Sequence, residues 1–432
     1  GGTLALTADA IDVGGPSADA LLPGFFTQGG FTQYTLEGLN AVHFRESLHP
    51  VAYQRIARAN AQLAPTGTPF STLSSVQTTM SDYLRSPVSL NASTGASSSG
   101  TFQLGVNETG ITVDPGVTLR MDPRGSIGLS SATRMDIGGT LIAPGGAISL
   151  TLDSGSKFYY DTATGRFNAL NIGDQAVLST AGVFLADSGP RGLVTGQVLH
   201  GGTIDITARK NDLVMGKGAV IDVSGAKHAA DMRSGTGNAI YTRATVASEG
   251  GRVAINATEN AYLDATFLGA GGDASVAGGS FALDLSYHGA LTSNAIYGNL
   301  LAGEANNDAK VATALAYWDA DVHHLEHTIV VSQTATSLLH DGSSADSSVI
   351  GNLSDGNGRF VSALRANISA DQLVNGVEKD GVRVGGGFDT VSLKADSQIQ
   401  LIAGLNNFAP RAQLRLDTPE LRVQGAGAVS IG

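Results

Sequence analysis

GGTIDITARKNDLVMGKGAVIDVSGA, residues 201–226, holds two short runs, TIDIT and AVIDV, in which apolar and polar residues alternate between glycine-rich corners. Alternation with a period of two sends successive side chains to opposite faces of an extended chain, so each run reads as a half-buried strand. The same phrase recurs in other spellings: GGTLALTA at 1–8, GGAISLTL at 145–152, GGRVAINA at 250–257 and GGSFALDL at 278–285. Leu4 and Leu6, Ile148 and Leu150, Ile204 and Ile206, Val253 and Ile255, and Phe281 and Leu283 occupy equivalent places. A second short strand follows, as in AIDV at 10–13, AVIDV at 219–223, AYLDA at 261–265, SQIQLIAG at 397–404 and PELRVQG at 419–425. The unit is strand, corner, strand, corner over roughly 20 to 25 residues, the period of one solenoid turn.

One such unit cannot bury its own apolar face, but stacked units pair in parallel ladders about 4.8 Å apart around a continuous interior. The expected fold is therefore all-β, a parallel β-helix with partly helical insertions, wound right-handed as parallel crossovers almost always are. DPG at 114–116 and APGG at 143–146 suit its corners, which need positive φ or a fixed proline φ. A β-sandwich or barrel also offers many short strands. Hairpin signals that would favour it are scarce, with Asn-Gly only at Asn357-Gly358 and Asn375-Gly376.

Composition agrees with a folded, frequently turning chain: 57 of 432 residues are glycine, 42% are hydrophobic and only 15% are charged. There is no cysteine, which removes disulfides, thiolate metal sites and a cysteine nucleophile. A formal net charge of -12 argues against nucleic acid as a partner, because phosphate neutralisation needs a basic stripe. No apolar run reaches the length of about 18 residues that a membrane-spanning helix needs. GGTLALTADA lacks the features of a secretion signal, and the chain opens and closes in mid-pattern, so an interior fragment of a longer protein is expected.

The pattern divides the chain into a β-helix coil at 1–15, an irregular and helical insertion at 16–100, β-helix at 101–291, an insertion with a helical part at 292–350, and β-helix from 351 to 432. In the first insertion SLHPVAYQRIARANAQLAP, residues 47–65, predicts a helix, with Val51, Ile56, Ala59 and Leu63 near helical spacing, Ser47 as cap and Pro65 beyond its end. The second insertion includes NNDAKVATALAYWDADVHHLEHTIVVSQTATS, helix-compatible at first and holding the only tryptophan, Trp318.

LLPGFFTQGGFTQYTLEGL at 21–39, GKGAVIDVSGA at 216–226, and ISADQLVNG at 368–376 with GGFDTVSLKADSQIQL at 386–401 resemble the filamentous haemagglutinin family of bacterial exoproteins, in the domain of unknown function found within their bodies. The likeness covers most of the chain. It implies a right-handed parallel β-helix shaft, export in an unfolded state through an outer-membrane TpsB-type transporter (two-partner secretion), and display at the cell surface or release. Adhesion to a host-cell or bacterial surface receptor or glycan, and biofilm roles, follow from the same resemblance. The family's amino-terminal secretion domain is missing from this sequence.

Candidate chemistry is sparse. In HHLEH, His323 and His327 lie four apart and would meet on one helix face, yet the order is not that of a zinc protease and no third ligand is spaced to join them. DGSSADSS at 341–348 and SDGNG at 354–358 offer oxygen ligands without a calcium-loop spacing, and read equally as polar turns. Asparagine sequons stand at Asn91, Asn107, Asn256, Asn352 and Asn367. Asp205, Asp222, Asp264 and Asp284 are isolated acids expected on outward strand positions, where they keep the shaft soluble; a polysaccharide-cleaving β-helix would need paired carboxylates. No phosphate-binding loop, nucleophile elbow or dinucleotide fingerprint occurs. The expectation is therefore no enzyme, no cofactor, and a binding surface, if one lies here, on the two insertions, with Phe25, Phe26, Tyr317 and Trp318 supplying contact area.

Overall fold

Ile204 and Ile206, the inward pair of TIDIT, are fully buried, and each sits in register on its equivalents in the turns before and after: Ile148 and Leu150 on one side, Val253 and Ile255 on the other. The computed structural model describes every residue except 1, 18, 29, 58–64, 70–74, 96–101, 105–109, 154–157, 162–165, 168, 188–191, 210–211, 235–239, 259, 287–326, 337–364, 380–381 and 432. Repeating that register along the chain produces a parallel β-helix, with one sheet of 19 strands and a second of five.

A full turn has three strands, not two, although the third ladder is shorter than the first. The first ladder stacks Thr3–Val13, Gln33–Phe44, Ser89–Thr94, Ser126–Ser131, Ala147–Asp153, Thr203–Arg209, Arg252–Ala257, Ser280–Leu285, Thr390–Ala395 and Gln413–Asp417, all parallel. The second begins with the distal halves of Thr3–Val13 and Gln33–Phe44 and continues through Gly110–Val113, Met135–Ile137, Leu170–Ile172, Leu213–Met215 and Ala261–Leu263. The third is Thr118–Arg120, Thr140–Ile142, Val177–Ser179, Val220–Asp222 and Thr266–Leu268. In the opening stretch TIDIT and AVID thus belong to the first and third ladders, with LVM between them in the second. Leu213, Val214 and Met215 are all buried, so this strand has no alternation by which a period-two reading would find it.

The doubled glycines have a physical reason beyond turn-making. A Cβ on Gly146 would stand 1.9 Å from the carbonyl oxygen of Gly125, on Gly202 2.0 Å from that of Gly146, and on Gly251 1.9 Å from that of Gly202. One corner of the shaft is therefore a glycine column in which successive turns touch backbone to backbone. Positive φ does apply at the DPG and APGG corners, at Gly116 (φ 81) and Gly145 (φ 57).

The stretch 16–100 is not a single insertion. Gln33–Phe44 and Ser89–Thr94 are rungs of the first ladder, and Tyr34, Leu36, Val42 and Phe44 point into the core. The helix expected from Ser47 does not form: Gln54–Ala57 is a strand antiparallel to Ser75–Thr78, and residues 58–64 lie outside the described residues. Two things oppose it. Pro50 disfavours helical φ/ψ at His49, and Leu48 is drawn into the third ladder, bridging Leu119. Among the described residues the helical content instead comprises Pro23–Gln28 and a single π-type turn, Asp371–Asn375, whose Gln372 amide donates to the carbonyls of Leu263 and Ala265 at 2.6 and 2.7 Å.

The stretch 292–350 also contributes a rung, and out of order. Beyond Ala261–Leu263 the second ladder runs Arg365–Ser369, then Thr328–Ser332, then Gln398–Ile402 and Glu420–Gln424. Over the same span the first ladder has only Ser280–Leu285 between Arg252–Ala257 and Thr390–Ala395. One side of the shaft thus carries a surplus rung, a mismatch of about 5 Å at ordinary strand spacing. Two features accommodate it. Buried Phe267, Phe281 and Phe388 make edge contacts at 5.2 and 5.7 Å and supply bulk to the interior at this level. His327, at the start of the surplus rung, bridges turns on either side: Nε2 donates to the Thr258 carbonyl at 2.8 Å and Nδ1 meets Asp396 Oδ1 at 2.7 Å.

Replacing Gly202 with alanine is expected to cost about 3 kcal/mol or more, because the backbone of the previous turn has no room to retreat. Thr207→Ala, on an outward position of the same strand, should stay within about 0.5 kcal/mol; urea unfolding of both variants measures the contrast. His327→Ala removes the bonds to the Thr258 carbonyl and to Asp396 and is expected to cost about 2 kcal/mol, with hydrogen exchange accelerated first at residues 328–332.

Candidate functional site

Parallel register places one outward residue per turn of the second ladder in a single row, beginning Asp12, His43, Thr112, Asp136, Asn171, Val214, Tyr262. These residues are scattered over 250 residues of sequence, yet successive members are one strand spacing apart. At the amino-terminal end the row is polar and partly exposed. His43 Nε2 lies 2.6 Å from Asp114 Oδ1, its Nδ1 lies 3.9 Å from Asp12, and Arg45 Nε donates to Asp12 at 3.1 Å. Asp136 accepts Asn171 Nδ2 at 2.7 Å and also Arg134 Nε. Each of these carboxylates is thereby committed to a cation, an imidazole or an amide. Among the described residues no three His, Asp or Glu side chains are grouped so as to hold a metal ion.

Farther along, the row turns inward-like: Asn171, Val214 and Tyr262 are all buried. Here Asp212 Oδ1 accepts the backbone N–H of Asn260 at 3.2 Å and its side-chain amide at 2.9 Å, and Asn260 Oδ1 accepts the N–H of Arg365 at 3.2 Å. The chain of bonds ties three turns together at one corner. Burial pushes the Asp212 carboxyl up to about 6, against the opposing effect of the two bonds from Asn260. Burial, and then the charge of Asp212, raises the hydroxyl of Tyr262 well above the ordinary tyrosine range.

Of the hairpins that leave the shaft at the corner between the third and first ladders, two do so in adjacent turns and touch. The shorter is Phe184–Ala186 with Gly196–Val198; the longer is Lys227–Ser234 with Ile240–Ala247. They are clasped at the base. Asp231 N–H donates to the Val194 carbonyl at 2.7 Å, Val194 N–H returns to Asp231 Oδ2 at 2.6 Å, and Arg243 adds a contact at 3.1 Å. The Val194 N–H, ahead of Arg243, holds the Asp231 carboxyl below the usual carboxylate range. The rings of Phe184 and His228 stack at 3.9 Å.

The residues singled out from sequence are not brought together. Phe25 is 41% exposed, whereas Phe26 is wholly buried, its carbonyl accepting the Tyr34 hydroxyl at 2.8 Å, so Phe26 belongs to the core and not to a contact surface. Tyr317, Trp318 and His323 lie outside the described residues, as do DGSSADSS and SDGNG. His327 is 1% exposed with both ring nitrogens already bonded to protein groups; buried at the head of a core strand, it is not on a solvated helix face. The acids on strands have structural partners: Asp205 with Arg252 at 3.3 Å, Asp284 with Lys394 at 2.9 Å, and Asp222 accepting the Ser224 hydroxyl at 2.6 Å.

The hairpin at 227–247 and the outward row were both missed from sequence. Alternation in IYTRATVA and the glycine-rich GTGN before it were available as signals for the first. For the second, the middle residues of AIDV, AVHF, MDI and LNI had to be stacked, which needs the three-strand register. No family model, no curated protein and no solved structure matches the chain.

Asp212 gives a pH signature with a defined sign. Its folded value near 6 exceeds the ordinary carboxylate value, so the folded state binds more protons between about pH 4 and 6 and its stability falls as pH rises through that window. The loss is on the order of 2 kcal/mol, allowing for partial exposure. Asp212→Asn is expected to flatten this slope in urea titrations run at successive pH values.

Proposed function

We propose that the chain is a section of the shaft of a large bacterial surface exoprotein similar to the filamentous haemagglutinin family, and that it presents adhesive surfaces to host cells or neighbouring bacteria, including within biofilms. The observation that carries this reading is the parallel ladder itself, continuous over ten rungs of the first ladder, with side hairpins leaving it at one corner. Bending such a rod strains many inter-turn hydrogen bonds together, so it suits holding a contact surface at a distance. Side hairpins add lateral area without interrupting the ladders.

Export through an outer-membrane TpsB-type transporter belongs to the same proposal. A chain without cysteine has no disulfide to obstruct unfolded passage, and stacked turns can nucleate on a preformed edge. Among the described residues no helix is long and apolar enough to cross a membrane.

The folded chain, immobilised on beads, is expected to attach to cells saturably, with attachment cut at least tenfold by excess soluble chain. Non-saturable attachment would reduce the protein to a passive stalk presenting a distal domain. Release of products from acidic polysaccharides would replace adhesion with a polysaccharide-cleaving activity.

A further inference from the structure

The long hairpin pairs eight residues on each strand, from Lys227 opposite Ala247 to Ser234 opposite Ile240. Only its base is supported, by buried Ala230, the His228 stack and the Asp231 clasp. Beyond the base, Met232 is 45% and Ile240 65% exposed. Two strands alone are marginal in water, and an unpaired strand edge is a template for another strand. Ile240–Ala247 pairs only with Lys227–Ser234, and its other edge makes no backbone hydrogen bond among the described residues.

Strand alternation splits the two faces by chemistry. Met232, Ile240 and Ala244 lie on one. Arg233, Tyr241 and Arg243 lie on the other, with Arg233 opposite Tyr241 and Arg243 opposite Asp231. Arg243 is shared with Asp231 at 3.1 Å, and Arg233 has no ionic partner among the described residues. Lys227, Arg233 and Arg243 against the one acid Asp231 make the hairpin basic in a chain whose net charge is -12.

We propose that the free edge of Ile240–Ala247 receives an extended partner segment in which acidic and apolar residues alternate. Added as a third strand, it satisfies the edge with main-chain hydrogen bonds. Its acidic side chains fall beside Arg243 and within reach of Arg233, while its apolar ones extend the surface of Ile240 and Met232. An anionic polysaccharide supplies charge but no N–H and C=O row and no apolar partner for Ile240. The interior acid-and-apolar runs of a second copy, such as Thr203–Arg209, are already paired on both edges. The inference does not depend on the adhesive reading.

The probe is a labelled ten-residue peptide of alternating Asp and Val, titrated into the full chain and read by fluorescence anisotropy. A scrambled isomer, a Lys–Val alternating peptide and a polyuronate run beside it. The Asp–Val peptide is expected to bind saturably and the scrambled one at least fivefold more weakly. Arg233→Glu and Arg243→Glu should each weaken binding about fivefold, the effect of losing one cross-strand charge pair, with unchanged thermal unfolding for Arg233→Glu. Arg243→Glu should also favour the Lys–Val peptide over the Asp–Val one. Absence of binding, equal binding of the scrambled peptide, unchanged binding by both variants, or polyuronate binding as tight as the peptide's would each overturn the proposal.

Discussion

Everything in this molecule depends on the hydrogen bonds between one turn and the next. A turn of three short strands has no sheet of its own; its backbone is satisfied only by the turns before and after it. That requirement explains the glycine column at Gly125, Gly146, Gly202 and Gly251, where any side chain would hold the turns apart. It also explains why inward Ile, Leu and Val recur without their neighbours recurring. Outward positions are free to vary, so they hold ion pairs such as Asp205 with Arg252 that link turns weakly at the surface.

Sequence was informative where burial was one-sided. TIDIT, AISLTL, RVAINA and FALDL alternate because one face meets the core and the other meets solvent, and these became first-ladder rungs. It was uninformative where burial was two-sided or where register decided. LVM and AYL are buried at every position and look like any short apolar run. The helix expected from Ser47 had acceptable spacing, but its apolar residues had better use: Leu48 completes a ladder position beside Leu119. The polar row from Asp12 through His43 to Asp136 had no local signal at all, since its members meet only after the turns are counted. For the same reason the histidines of HHLEH suggested a helix face, while His327 in fact closes a gap between turns.

Most insertions stand outside the shaft and leave its ladders intact. Those at the corner between the third and first ladders become hairpins that stand outside, and the ladders pass beneath them undisturbed: Thr203–Arg209 and Arg252–Ala257 remain in full register although the long hairpin separates them in sequence. The corner tolerates this because the chain there has already completed its inward strand. Excursions between the first and second ladders can stand outside in the same way: Phe102–Leu104, Phe158–Asp161 and Arg166–Phe167 form a separate three-stranded sheet while the ladders stay in register.

The surplus rung is the exception, an excursion from this same place that returns a strand to the stack. Thr328–Ser332 can pair on its near edge only when Arg365–Ser369 is in place, though it is made earlier in the chain. Strictly sequential winding therefore fails at one point: of the two strands between Ala261–Leu263 and Gln398–Ile402 in the stack, the later in the chain lies nearer the former and the earlier nearer the latter. Ordinary turns gain their register from the turn beneath. This one gains it from above and below together, through His327 reaching both Thr258 and Asp396. Since all five residues of the rung are buried, it belongs to the core it interrupts, and the irregularity is held by the same packing and hydrogen bonding that make the rest of the shaft regular.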